Sequence, residues 1–167
     1  MPSRTRALLY DECYDEIVDM MTASMKRLIH EYKVSYIILV CGTAHYFLKD
    51  IYNRIPEAKG KVLDIIEVAG GNIDNDSVFI IAAEGALKKK LYENRLSEMG
   101  ISCVSPLENE WNKIREFIEA VKKGTVNKNV IDDFYRFIAN RGTNSVILGC
   151  TEFSALVDYC YHYGSKE

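Results

Sequence analysis

The stretch Val34-Ser-Tyr-Ile-Ile-Leu-Val40-Cys41-Gly-Thr-Ala-His45 decides the fold class. From Val34 to Val40 it is a β-branched and apolar run without alternation, the pattern of a strand buried on both faces. The run ends at Cys41. Ala44 to Arg54 then reads as a helix, stopped near Pro56 because the residue before a proline avoids helical geometry. The same succession recurs downstream. Ser77-Val-Phe-Ile-Ile-Ala-Ala83 is a second strongly buried strand, followed by a helix from Glu84 to Met99 that Gly100 closes. Ser145-Val-Ile-Leu-Gly149 is a last buried strand, and Cys150-Thr-Glu152 follows it.

Between these lie weaker strand candidates, Lys61 to Ile65 and Ile101 to Ser105, and the turn-rich stretch Gly70 to Asp76. Asp11 can cap a helix carrying Ile17, Met21, Met25 and Leu28. Trp111, Ile114, Ile118 and Val121 form the apolar stripe of another, ended by Gly124. Val130, Phe134, Phe137 and Ile138 define one more, closed by Arg141-Gly142. Buried strands alternating with amphipathic helices predict an α/β protein with a parallel sheet, whose site lies beyond the carboxyl ends of the strands.

Composition narrows the function classes. The 167 residues suit one ordinary domain, and 48% hydrophobic with 27% charged residues is the balance of a folded globular chain. Lys plus Arg at 21 against Asp plus Glu at 24 gives a formal charge of −3, so no global positive field attracts nucleic acid. The longest apolar run is far shorter than the roughly 20 residues of a membrane span, and the polar start is unlike a signal peptide. A cytoplasmic protein that binds neither nucleic acid nor membrane is expected. Five cysteines without a CxxC pair indicate neither a disulfide framework nor a zinc knuckle.

Two of these cysteines stand out by place. Cys41 and Cys150 each follow a buried strand and open a helix, where unpaired backbone N–H groups and the helix dipole favour a thiolate. The same N–H groups, with the Thr43 and Thr151 hydroxyls, suit a small carboxylate. Cys13, Cys103 and Cys160 read instead as small buried hydrophobes. Lys122 and Lys123 on their own read as a solvated helix end, Lys88-Lys89-Lys90 as a solvated helix face, and His45 and His162 as surface residues. Glu84 and Glu152 sit at helix starts, where an acid is electrostatically favoured, and Glu152 is placed to orient Cys150.

These segments resemble the aspartate/glutamate (Asp/Glu/hydantoin) racemase superfamily, and aspartate racemase most. Cys41-Gly-Thr-Ala-His45 is similar to the family's first cysteine motif, and Leu148-Gly-Cys150-Thr-Glu152 to its second, with Glu after Thr as in aspartate racemases. Pro2-Ser-Arg-Thr5, Ala82-Ala-Glu-Gly-Ala86 and Val121-Lys-Lys-Gly124 match further family segments in the right order. The resemblance implies parallel-sheet, helix-flanked lobes: residues 1–75 as a partial first lobe, 76–150 as a second, and 151–167 as a helix returning toward the first. It also implies a cofactor-independent amino-acid racemase acting on aspartate or glutamate, needing neither pyridoxal phosphate nor metal. One thiolate, Cys41 or Cys150, would remove the α-proton while the other thiol reprotonates the opposite face. Arg4, Gly42, Thr43, Lys122 and Thr151 would bind substrate, Arg4 by a bidentate grip on the distal carboxylate. Glu84 and Glu152 would support the site.

The sequence departs from the family pattern where Gly42 replaces an Asn and Ala83 and Ala86 replace threonines, which thins the carboxylate donors. The chain also lacks the family's first strand and helix and its closing elements. Two rival readings follow: a catalytically impaired, truncated homologue that binds or builds, and a two-cysteine enzyme like maleate isomerase or hydantoin racemase. Family practice and the partial lobe imply a homodimer, or a partner chain covering the incomplete lobe, with Tyr159, Tyr161 and Tyr163 as interface candidates. An incomplete lobe should expose sheet edge and apolar surface.

Overall fold

The computed structural model describes residues 3–74, 77–139 and 141–163, the last five of these by backbone alone. Pro2, and the side chains of Tyr159, Cys160, Tyr161, His162 and Tyr163, therefore lie outside the described residues, as does the end of the Gly70 to Asp76 turn. The chain begins with helix α1 (Arg4–Tyr10), α2 (Tyr14–Lys26) and a π-turn, then β1 (Ile37–Ile38). A 3-10 turn over Gly42–Phe47 leads into α3 (Leu48–Arg54), β2 (Val62–Leu63) and α4 (Ile65–Gly70). Next come β3 (Ser77–Ile81), α5 (Glu84–Lys88), α6 (Leu91–Ser97) and β4 (Ser102–Val104). The remainder is α7 (Trp111–Lys123), α8 (Lys128–Ile138), β5 (Val146–Leu148) and α9 (Thr151–Tyr163).

Among the described residues the strand pairs are all parallel, in two sheets: β1 beside β2, and β4-β3-β5 with β3 in the centre. Central position explains composition. Val78, Phe79, Ile80 and Ile81 are all fully buried, whereas the flanking strands leave Val104 and Val146 partly in water. Around β3 the second core gathers Phe117, Phe134 and Phe153, the last two stacked at 5.8 Å between centroids. A separate core packs Ile17, Met21 and Met25 of α2 against Phe47 and Ile51, with Ala7 and Leu8 of α1.

Several expectations are corrected. Asp11 does not cap α2; it ends α1 in a left-handed conformation, φ 56°, and Cys13, exposed rather than buried, repeats that geometry at φ 55° just before α2. Only Ile37–Ile38 of the run 34–40 pairs as strand, and Tyr36, Ile38 and Val40 point to solvent, Val40 at 77% exposure. A two-stranded sheet covered on one face cannot bury both, so the apolarity of this run marks an exposed face. The helix expected over 84–99 breaks at Lys90, φ 48°, into α5 and α6. Lysines expected in solvent do structural work at this break: Lys88 donates to the Leu9 carbonyl at 2.7 Å and Lys89 lies over the Tyr46 ring and 3.7 Å from Asp11, fastening α1. Finally, α9 packs through Phe153 and Leu156 into the second core, against α7 and α8, where the sequence suggested a return to the first lobe.

Candidate active site

A cleft of about 560 Å³ opens where the carboxyl ends of β1 and β5 meet α1, α5 and α7. It lies beyond strand ends because there the ladder stops and backbone groups become available to a ligand. The last ladder bond near Cys150 runs from Gly149 N–H to the Ile81 carbonyl at 2.7 Å, so Cys150 is the first residue past it and precedes α9. Cys41 stands in extended geometry before the 3-10 turn, whose first bond runs from Ala44 N–H to the Cys41 carbonyl at 3.0 Å. First-turn N–H groups on both sides have no acceptor within the helix ladder, and Gly42, Thr43, Thr151 and Glu152, which carry them, line the cleft.

Arg4, Cys41, Gly42, Thr43, Glu84, Lys122, Cys150, Thr151 and Glu152 all line this one cavity. Lys123 does not; it pairs with Glu119 at 3.5 Å, which leaves Lys122 as the cleft lysine of the pair. Thr43 is buried and Thr151 exposed, so the two hydroxyls meet different solvation. Sequence reasoning missed Arg115, whose guanidinium forks onto Glu84, with Nε 3.3 Å from Oε2. Its signal was available: Arg115, Ile118, Glu119 and Lys122 recur at helical spacing along the α7 face that borders the cleft. Arg6 also lines the cavity but is held by Glu12 at 2.8 Å. Arg4, Arg6, Arg115 and Lys122 share the lining with Glu84, Glu119 and Glu152, and with Glu12 held on Arg6 the charges there are close to balance.

The two cysteines differ in environment. The Cys150 thiol donates to Glu152 Oε2 at 2.8 Å, and Glu152 lies 3.9 Å from Lys122. Burial first, then the hydrogen bond and charge of Glu152, push the Cys150 thiol up to about 12, although the Glu152 backbone N–H pulls the other way. Cys150 is therefore a protonated thiol at neutral pH. Burial alone would raise Glu152, yet the Cys150 thiol, backbone N–H, Thr151 hydroxyl and Lys122 hold it below the usual carboxylate range.

Cys41 is fixed from behind by His45, which is buried rather than at the surface as expected. His45 Nδ1 lies 3.1 Å from the Cys41 carbonyl, so it carries the proton and donates; Nε2 then accepts from the Ile65 N–H at 3.4 Å. Asp64, 3.9 Å from Nε2, caps α4 and accepts from Arg95 at 2.8 Å. Burial would raise Asp64, but the Arg95 hydrogen bond and the Ile66 N–H keep it low and ionised. Among the described residues no cluster of three or more His, Cys, Asp or Glu gathers as a metal site. No described helix is long and apolar enough to cross a membrane.

Residues 6–160 match the family model of the Asp/Glu/hydantoin racemases. The chain belongs to that family. A Yersinia pestis protein assigned provisionally to the Asp/Glu racemases superposes with a TM-score of 0.75 at 19% identity, over 91% of this chain and 68% of its own. Glutamate racemase from Francisella tularensis, solved with D-glutamate, gives 0.67 at 21% identity, over 95% of this chain and 57% of its own. At these identities the two structures establish the racemase fold, and this family member spans about two thirds and just over half of their respective lengths.

Proposed function

We propose that the protein racemises an acidic amino acid, aspartate or glutamate, by two-base proton transfer between Cys41 and Cys150. The observation that carries this reading is that both strand-end cysteines line one cleft, flanked by first-turn N–H groups and by Arg4, Arg115 and Lys122. Because Cys150 holds its proton, it serves as donor in the first half-turnover, and the part of base falls to Cys41. The α-proton passes to the Cys41 sulfur while the Cys150 proton goes to the opposite face of the α-carbon. Cys41 ends as thiol and Cys150 as thiolate, and exchange with solvent resets the pair. Charge developing on the α-carboxylate is met by the N–H groups and hydroxyls of Thr43 and Thr151, and Arg4 takes the distal carboxylate. His45 keeps the Cys41 loop in place without touching substrate.

In deuterated buffer the protein is expected to wash deuterium into the α-position of aspartate or glutamate, and Cys41→Ala or Cys150→Ala to abolish the exchange. No exchange with any acidic amino acid from a folded sample overturns the reading. Calorimetric binding of dicarboxylates without exchange would instead support a binding protein on this fold.

A further inference from the structure

Tyr92 stands beneath the cleft, 3% exposed and not among the residues that line it. It enters from α6, which starts afresh after the left-handed Lys90 and so aims its first turn at the two cysteine loops. The Tyr92 hydroxyl donates to the Gly149 carbonyl at 2.9 Å, one residue before Cys150. On its other side it meets Gly42, one residue after Cys41: a Cβ there would lie 1.9 Å from the hydroxyl oxygen and 3.0 Å from the Gly149 carbonyl. A Cβ on Gly149 would lie 2.8 Å from Tyr92 Cζ and 2.8 Å from Ala82 Cβ. Neither glycine has the positive φ that usually demands this residue. Glycine is required at both places by space, and Tyr92 occupies that space. The absence of a side chain at position 42, which reads from sequence as a lost substrate contact, thus has a packing cause.

We propose that Tyr92 is a positioning residue whose hydroxyl, wedged between Gly42 and Gly149, sets the spacing of the Cys41 and Cys150 loops. This rests on the two-cysteine reading for its catalytic consequence but not for its geometry. Burial first, then the neighbouring Cys150 and Cys41, push the phenol's ionisation to higher pH, so the hydroxyl remains a donor throughout the neutral range. The wedge reaches the sulfurs through the backbone, because the residue on each side of the hydroxyl is a glycine bonded directly to a cysteine. Misplacing either sulfur lengthens one proton transfer, while the distal-carboxylate contact from Arg4, carried on α1, stays where it is.

Tyr92→Phe removes one oxygen and keeps the ring. In the deuterium-exchange assay it is expected to lower kcat by roughly tenfold or more, a larger factor than any rise in KM, as a small misplacement of reacting groups does. Alkylation rates of individual cysteines, read by mass spectrometry at pH 8 to 9, should change for Cys41 and Cys150 together and stay constant for Cys13 and Cys103. Gly42→Ala should lower the unfolding midpoint, and Tyr92→Phe in the same chain should restore much of it, because the oxygen 1.9 Å away is gone. Unchanged alkylation of both site cysteines in folded Tyr92→Phe, a Gly42→Ala defect indifferent to the hydroxyl, or a Tyr92→Phe chain that fails to fold would each overturn the proposal. If no amino acid is turned over while alkylation and the Gly42 coupling respond as stated, the racemase reading fails and the wedge stands.

Discussion

Cys150 and Glu152 form a contact in which the carboxylate opposes ionisation of the thiol it orients. Glu152→Gln keeps an oxygen able to accept from sulfur but removes the charge, so Cys150 should ionise at lower pH. Only the thiolate alkylates, and each unit of downward shift multiplies its population about tenfold. Iodoacetamide should therefore label Cys150 faster at pH 8 in Glu152→Gln than in the parent, with Cys103 as internal control; equal rates would mean that burial alone sets the shift. At this scale the sequence was most legible for groups whose chemistry is tied to a local motif. Cys41, Thr43, Cys150 and Thr151 sit at strand ends that periodicity can locate. His45 and Tyr92 escaped because their partners, the Ile65 N–H and the Gly149 carbonyl, lie 20 and 57 positions away. Tertiary packing alone brings such groups together, and nothing in the neighbouring residues announces it.

At the level of elements, α1 forms one wall of the cleft and its seat on α5 depends on Gly85. A Cβ at that position would meet the Thr5 carbonyl oxygen at 2.9 Å and Thr5 Cα at 3.0 Å. Backbone atoms cannot swing aside, so α1 itself would have to move. Gly85→Ala would gain roughly 0.5–1 kcal/mol of helix propensity, but overpacking of this kind costs about 1–3 kcal/mol. Net destabilisation is expected in chemical unfolding, together with weaker dicarboxylate binding because Arg4 rides on α1; a more stable variant with unchanged binding would show that α1 is loosely seated. Element type was readable wherever an apolar stripe was long, as in α7 and α8. Extent was not: β1 shrank to Ile37–Ile38 because strand length depends on a neighbour to pair with, and that neighbour, β2, is itself only Val62–Leu63. The α5–α6 break was equally hidden, since Lys90 carries the left-handed turn that a glycine or asparagine would have signalled.

Across the whole molecule, the groups whose ionisation shifts on folding set how stability depends on pH. Cys150 moves from 9.0 to about 12, and Cys103, Tyr14, Tyr52 and Tyr92 also move upward, burial being the leading cause in each. Each is neutral in the folded chain at pH values where the unfolded chain has ionised. A raised pKa contributes stability that is complete below the unfolded value and is lost as pH climbs through the folded one. The protein should therefore lose stability steadily from about pH 9 to 12, with the thiols responsible first and the buried phenols joining above pH 10. The formal charge of −3 grows more negative over the same range, so self-repulsion adds to the trend. Thermal unfolding followed at pH 7, 8, 9, 10 and 11 separates the contributions. Cys150→Ala should flatten the decline between pH 8 and 10 without abolishing the later fall due to Tyr14 and Tyr92. A parent protein whose midpoint falls no faster than that of Cys150→Ala would mean that its thiol ionises as readily in the folded chain as in the unfolded one. Cys150 would then hold its proton no more firmly than an ordinary cysteine, and its assignment as the first donor would lose its support.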